Sequence, residues 1–153
     1  MKKSADTDSQ GAIALLKADH REVEDAFEQY KKLADGDYTK KKQLADHICD
    51  ELTVHMTVEE EIFYPTVKSE VNDADDIVNE GIVEHAGAKV LIKEIKAMKG
   101  DEELFDTKVN VLAEQIEHHV KEEEEDMFPK VQKSKVDLLA LGKEIEQRKS
   151  GLR

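Results

Sequence analysis

Residues that bend, break or staple a chain are scarce in this sequence. It has one cysteine, two prolines, seven glycines and no tryptophan in 153 residues. A lone Cys49 excludes an intramolecular disulfide framework and fits a reducing compartment. So little proline and glycine argues against the many tight turns of an all-β domain. No apolar run approaches the ~20 residues that span a bilayer. The opening Met1–Gln10 is polar and lacks the apolar core of a signal peptide, so the expected location is cytoplasmic. Positive charge is also in deficit, with 23 Lys and Arg against 36 Asp and Glu, a formal net charge of −13. Nucleic acid and anionic membrane surfaces are therefore not expected partners. What is plentiful is charge of both signs, 39% of all residues, which suits long helices with solvated faces. At 17.4 kDa the chain is one domain, able to bury about 70% of its unfolded surface.

Apolar residues recur at helical spacing. A first helix from about Ser9 carries Ile13, Leu16, Val23, Phe27 and Tyr30, with His20 in the same stripe. Asp35-Gly36-Asp37 forms a turn, and Thr39 is the expected N-cap of a second helix with seam Leu44, Ile48, Leu52, His55, Glu59, Ile62 and Phe63. Pro65 is expected to kink or end that helix near Phe63 or Tyr64. A third helix carries Val78, Ile82, His85, Ala88, Ile92, Ile95 and Met98 up to Gly100. Asp101 is the expected cap of a fourth, with Leu104, Val109, Leu112, Ile116, His119, Glu123 and Met127. A short amphipathic segment, Val136 to Arg148, is expected to cap one end. The predicted architecture is all-α, an up-down-up-down four-helix bundle with a short C-terminal extra helix. Its expected divisions are a flexible N-terminus (1–8), the bundle (9–133) and a C-terminal helix and tail (134–153).

Two stretches match in detail. His55-Met56-Thr57-Val58-Glu59 leads to Phe63-Tyr64-Pro65, and His119-Val120-Lys121-Glu122-Glu123 leads to Phe128-Pro129. In both, Glu follows His by four residues and Pro by ten. The repeat reaches upstream: His20 precedes His55 by 35 residues and His85 precedes His119 by 34. A lone His followed by His-x3-Glu has thus been laid down twice, with a period of two helices, which reads as two related hairpins.

His20, His55, Glu59, His85, His119 and Glu123 occupy positions that their helices otherwise give to Ile, Leu, Val and Phe. Four residues is just over one helical turn, so each His-x3-Glu pair stacks on one face. An ionised carboxylate buried without partners costs several kcal/mol, and two close together repel. A pair of dications removes both penalties. Two bridging carboxylates flanked by four neutral imidazoles suit iron, manganese or zinc better than calcium or magnesium. His47 and His118 point away from the seam and are expected at the surface, as are most of Glu60, Glu61, Glu122, Glu124 and Glu125.

These residues resemble the hemerythrin family, in its HHE cation-binding branch. The resemblance runs from Leu15-Leu16-Lys17-Ala18-Asp19-His20 to Leu141-Gly142. It implies two iron ions (Fe2+/Fe3+) joined by Glu59, Glu123 and an oxo or hydroxo group, with His20 and His55 on one iron and His85 and His119 on the other. Manganese or zinc are possible replacements. The implied ligand is small (dioxygen, peroxide or nitric oxide), to be reacted with or sensed, and the protein partner is unknown. The alternatives are an iron buffer or sensor without turnover, and reversible oxygen binding. The oxygen carriers of the family have a fifth histidine, four residues from the third-helix one; here Gly81 and Lys89 stand at those positions. Ten of twelve octahedral positions are then filled. Two are left for water, substrate or another side chain, with Tyr64, Tyr30 and Glu60 as candidates.

Overall fold

The computed structural model describes residues 11–153; the expected N-terminal segment 1–8 lies outside them. The first hairpin pairs α1 (Ala12–Lys31) with α2 (Tyr38–Val58), which continues through a π-helical turn (Glu59–Phe63) into α3 (Tyr64–Glu70). The second repeats it: α4 (Asp75–Ala97) pairs with α5 (Phe105–Glu122), which continues through Glu123–Met127 into α6 (Phe128–Gln132). A final helix, α7 (Leu138–Leu152), lies outside these four rods. The result is the expected up-down-up-down four-helix bundle with an additional C-terminal helix.

Neither proline ends its helix. Both lie at the second position of the α-helical segment after a π-helical turn. Proline has no N–H, and its ring collides with the carbonyl four residues back. Widening one turn relieves that collision while the rod continues. Tyr64 and Phe128 accordingly donate their backbone N–H to Glu59 and Glu123, five residues back. Each widened turn begins at one of the two inward glutamates.

The expected boundaries shift at three places. Asp37, not Thr39, caps α2 by accepting the Lys40 N–H. Asp101 does not cap α5; the nearby Glu102 carboxylate instead accepts the N–H groups of Lys99 and Gly100, closing the turn ahead of the helix. The fourth seam begins at buried Phe105, while Leu104 is 57% exposed. On α4, Ile82 is 39% exposed and Gly81 takes the inward position. A glycine gives no hydropathy signal, so the apolar residue beside it drew the prediction.

The core divides into two clusters. One gathers Leu16, Phe63, Tyr64, Val67, Phe128 and Val131 together with Leu141 and Ile145 of α7. The other gathers Phe27, Ile48, Leu52, Ile92, Ile95, Phe105 and Leu112. On every long rod the inward His and Glu fall between the two. The polar layer is held by apolar clusters on either side, whose large side chains are each worth roughly 2–5 kcal/mol on truncation to Ala. Helix α7 does not close one end as expected. It packs along the flank of the first hairpin, with Arg148 on Glu61, Lys149 on Asp19 and Arg153 on Glu51.

Candidate metal centre

All six predicted donors are buried, with Glu59 and Glu123 at 0% and 1% exposure. The helices bring them into one layer. His20 Nε2 lies 3.1 Å from Glu123 Oε1, and His55 Nε2 lies 3.3 Å from Glu59 Oε2. On the other side, His85 Nε2 lies 3.1 Å from Glu59 Oε1, and His119 Nε2 lies 3.3 Å from Glu123 Oε2. Each carboxylate thus turns one oxygen toward the His20–His55 pair and the other toward the His85–His119 pair. Donor atoms of His20, His55, Glu59 and Glu123 lie within 4.8 Å of one another, as do those of Glu59, His85 and His119.

Four of these atoms are buried and lack any hydrogen-bond partner: His20 Nε2, His55 Nε2, Glu59 Oε2 and Glu123 Oε1. A buried polar atom left unpaired costs about 1–3 kcal/mol. Imidazole nitrogens and carboxylate oxygens about 3 Å apart, unaligned for hydrogen bonding, fit a cation between them. The donor set and its geometry therefore suit a pair of metal ions.

The opposite edge of every imidazole is held by a carboxylate. Nδ1 of His20 lies 2.6 Å from Glu124, that of His55 3.0 Å from Asp19, that of His85 2.7 Å from Glu60 and that of His119 2.7 Å from Glu84. Such partners fix the ring and its tautomer, so that Nε2 presents a lone pair inward. Glu60 and Glu124, expected at the surface, are therefore half-buried parts of the centre. Their signal was in the repeat: Asp19-His20 answers Glu84-His85, and Glu59-Glu60 answers Glu123-Glu124. Each partner comes from a different helix than the ring it holds, which a single sequence does not reveal.

The charges follow. Burial opposes protonation of His55, but Glu59, Asp19 and Glu123 outweigh it and raise the ring to about 10. Burial likewise opposes protonation of His119, and Glu123 with Glu59 raises it to about 11. Against the effect of burial, His55, His119 and His85 hold Glu59 well below its ordinary value. The hydrogen bond to His20 holds Glu124 at about 2. Without a cation, protons on the imidazoles must neutralise the inner carboxylates.

Of the three candidates for a further ligand, Tyr64 alone reaches the inner donors. Its hydroxyl donates to Glu123 Oε2 at 2.6 Å and lies 3.4 Å and 3.3 Å from Nε2 of His85 and His119. Gly81 makes the room: a Cβ there would meet the Tyr64 hydroxyl at 3.0 Å. Burial, with Glu59 and Glu123 beside it, keeps the phenol protonated far above its ordinary range. Tyr30 is engaged elsewhere, donating to Asp106 beside Lys41. Glu60 is occupied by His85 and Lys89. On the side of the Phe27 cluster, a cavity of about 20 Å³ touches all four imidazoles and is otherwise walled mainly by Val23, Leu52, Met56, Ile116 and Val120.

The hemerythrin HHE cation binding domain matches residues 11–131 of this sequence. The chain belongs to the hemerythrin HHE cation-binding family. A crystal structure of a hemerythrin HHE cation binding domain-containing protein from Mycobacterium kansasii superposes with a TM-score of 0.78 at 21% identity, covering 93% of this chain and 86% of that one. At that identity the likeness speaks for the hemerythrin-like fold alone. A protein described as a DNA nickase, from Nostoc sp. (strain PCC 7120 / SAG 25.82 / UTEX 2576), is 30% identical over 114 residues. That match takes in 74% of this chain but only 31% of the Nostoc protein. Among the described residues, no helix is long and apolar enough to cross a membrane.

Proposed function

We propose that this hemerythrin-like chain holds two iron ions, bridged by Glu59 and Glu123, and uses them to react with or sense dioxygen, peroxide or nitric oxide. The observation that carries this reading is the split of each carboxylate, one oxygen toward each imidazole pair. A nitrogen and oxygen donor set of this kind accepts iron, manganese or zinc, and the family resemblance favours iron. When bound, iron supplies one-electron chemistry and coordination positions that a small ligand can take.

The chain's own residues set the conditions. The four carboxylates behind the imidazoles orient them and keep their inward lone pairs available. The cavity of about 20 Å³ is near the size of one water or one diatomic molecule. Its apolar walls exclude larger and charged substrates. Tyr64 keeps a proton at its hydroxyl, hydrogen-bonded to Glu123, beside the His85–His119 pair. The nicking activity named for the Nostoc protein does not carry over to this chain, which matches only 31% of that protein's length and whose net charge of −13 opposes approach to a phosphate backbone.

Protein produced with an iron supply and analysed for metal and visible absorption tests the proposal. Two irons per chain with the absorption of an oxygen-bridged diferric pair is the expected result. Colourless, metal-free protein from iron-replete cells would sink it. A peroxide-consumption assay then separates the activities: sustained turnover marks an enzyme, and iron-dependent stability without turnover marks a buffer or sensor.

A further inference from the structure

A second group of donors lies outside the inner centre, on the open flank of the second hairpin. His118 and Glu122 are one turn apart on α5, and Glu84 faces them from α4. His118 Nε2 lies 2.9 Å from Glu122 Oε1 and 3.6 Å from Glu84 Oε2. One donor atom from each of the three lies within 4.8 Å of the others. Glu80, one turn before Glu84 on α4, adds a fourth carboxyl to the same flank. No Lys or Arg among the described residues forms an ion pair with Glu80, Glu84 or Glu122.

An independent feature points to a ligand here. Five buried side-chain atoms among the described residues lack a hydrogen-bond partner; four belong to the inner centre, and the fifth is Glu122 Oε1. At the centre this pattern arises where an imidazole nitrogen and a carboxylate oxygen lie about 3 Å apart without hydrogen-bond alignment, as two lone pairs aimed at a common point would. His118 and Glu122 share the spacing, with the carboxylate oxygen buried and unpartnered while the imidazole stays open to solvent. Beside them is a cavity of about 220 Å³, lined by Glu84 and His118 together with the inner donors His85 and His119. Glu84 joins the two sites directly. Its Oε1 receives the His119 Nδ1 hydrogen bond while its Oε2 faces His118. The first hairpin has no counterpart. Val54 and Val58 stand at the positions of His118 and Glu122, and Lys149 occupies Asp19.

We propose that Glu84, His118 and Glu122 form an outer divalent-cation site, which takes a transition-metal ion from solvent and stages it beside the inner pair. One imidazole with two carboxylates suits Fe2+, Mn2+, Co2+ or Zn2+. Because His118 is 67% exposed, the ion keeps some of its water and is held more weakly than at the buried centre. Outer binding stands on its own donors; delivery rests on the reading of the inner centre.

Co2+ titration of the metal-free full-length chain tests this, with bound metal measured by equilibrium dialysis and inner filling followed by visible absorption. Wild type is expected to take three ions, two tightly and one weakly. The His118→Ala/Glu122→Ala protein is expected to take only the tight two and to fill them about tenfold more slowly, the lower end of what a local charged site adds to association rates. Three ions in that variant would overturn the outer site. Loss of the weak ion with unchanged filling would overturn the staging role. A Glu59→Ala/Glu123→Ala protein, folded by circular dichroism, separates the two readings by retaining the weak ion after losing the tight ones. If wild type takes only a weak ion that His118→Ala/Glu122→Ala abolishes, the inner reading fails and the outer site stands.

Discussion

The two hairpins are copies in sequence, yet their halves of the centre are built differently. In the first, His20 stacks on Phe128 at 5.9 Å between ring centres, and Leu16 is fully buried on the same helix. In the second, His85 stacks on Tyr64 at 5.4 Å, and Gly81 stands where the repeat has Leu16. Phe128 and Tyr64 are themselves equivalent positions, 64 apart. Replacing Leu and Phe by Gly and Tyr opens a space and places a phenol in it. The outside differs as well. Helix α7 covers the first half and places Lys149 on Asp19, whereas Glu84 faces a cavity. The repeat supplies the symmetry of the donors, and the residues around them leave one half closed and apolar and the other open and polar.

The largest effect should come from what the halves share. Glu59→Ala is expected to empty both positions, since each oxygen of that carboxylate serves a different imidazole pair. His20→Ala or His85→Ala should weaken mainly one. Elemental analysis decides, and two metals per chain in Glu59→Ala would contradict the bridging assignment.

Next in size is a pH effect involving one histidine from each half. Folding raises His55 to about 10 and His119 to about 11 from about 6.5 for an unfolded imidazole. The folded state therefore holds those protons more tightly, and the stabilisation is complete below pH ~6.5 and lost as pH rises through 10–11. Metal-free protein should melt at progressively lower temperature over that window. Metal-loaded protein should be much flatter there, because the ions replace the protons. The same competition makes metal affinity rise with pH, by up to ~100-fold per unit if two protons leave. Equal slopes for the two forms would show that these rings are not the proton sites.

Gly81→Ala addresses the open half alone. A methyl 3.0 Å from the Tyr64 hydroxyl should cost about 1–3 kcal/mol by overpacking. Tyr64→Phe should relieve much of it, measured as coupling in a double-mutant cycle by denaturant unfolding. Additive costs would mean that the two positions do not share the space. The smallest change is expected for Lys149→Met on the covered half. Removing the Lys149 end of this mostly buried pair leaves Asp19 still bonded to His55 and should cost about 1 kcal/mol, with both metals retained.

The inward donors were legible because a buried histidine or glutamate interrupts an apolar stripe, and because the interruption occurs twice at one spacing. The helices were legible for the same reason of period. Tyr64 was harder to place: as an aromatic residue on a buried helix it looks like any core residue until Gly81 is seen across from it. Asp19, Glu60, Glu84 and Glu124 were hidden in a chain rich in carboxylates, where most such residues are solvated. Ile82 and Leu104 misled because hydropathy marks apolar residues and not the glycine or turn beside them.

From the amino-acid order alone came four amphipathic rods, their pairing into repeated hairpins, and six donors facing inward, since these depend on periodicity along a single helix. Which carboxylate stands behind which imidazole, which half α7 covers, and how the π-turns carry each rod past its proline were decided only by folding. Those contacts join residues far apart in the chain, and their partners are selected by which helices lie side by side.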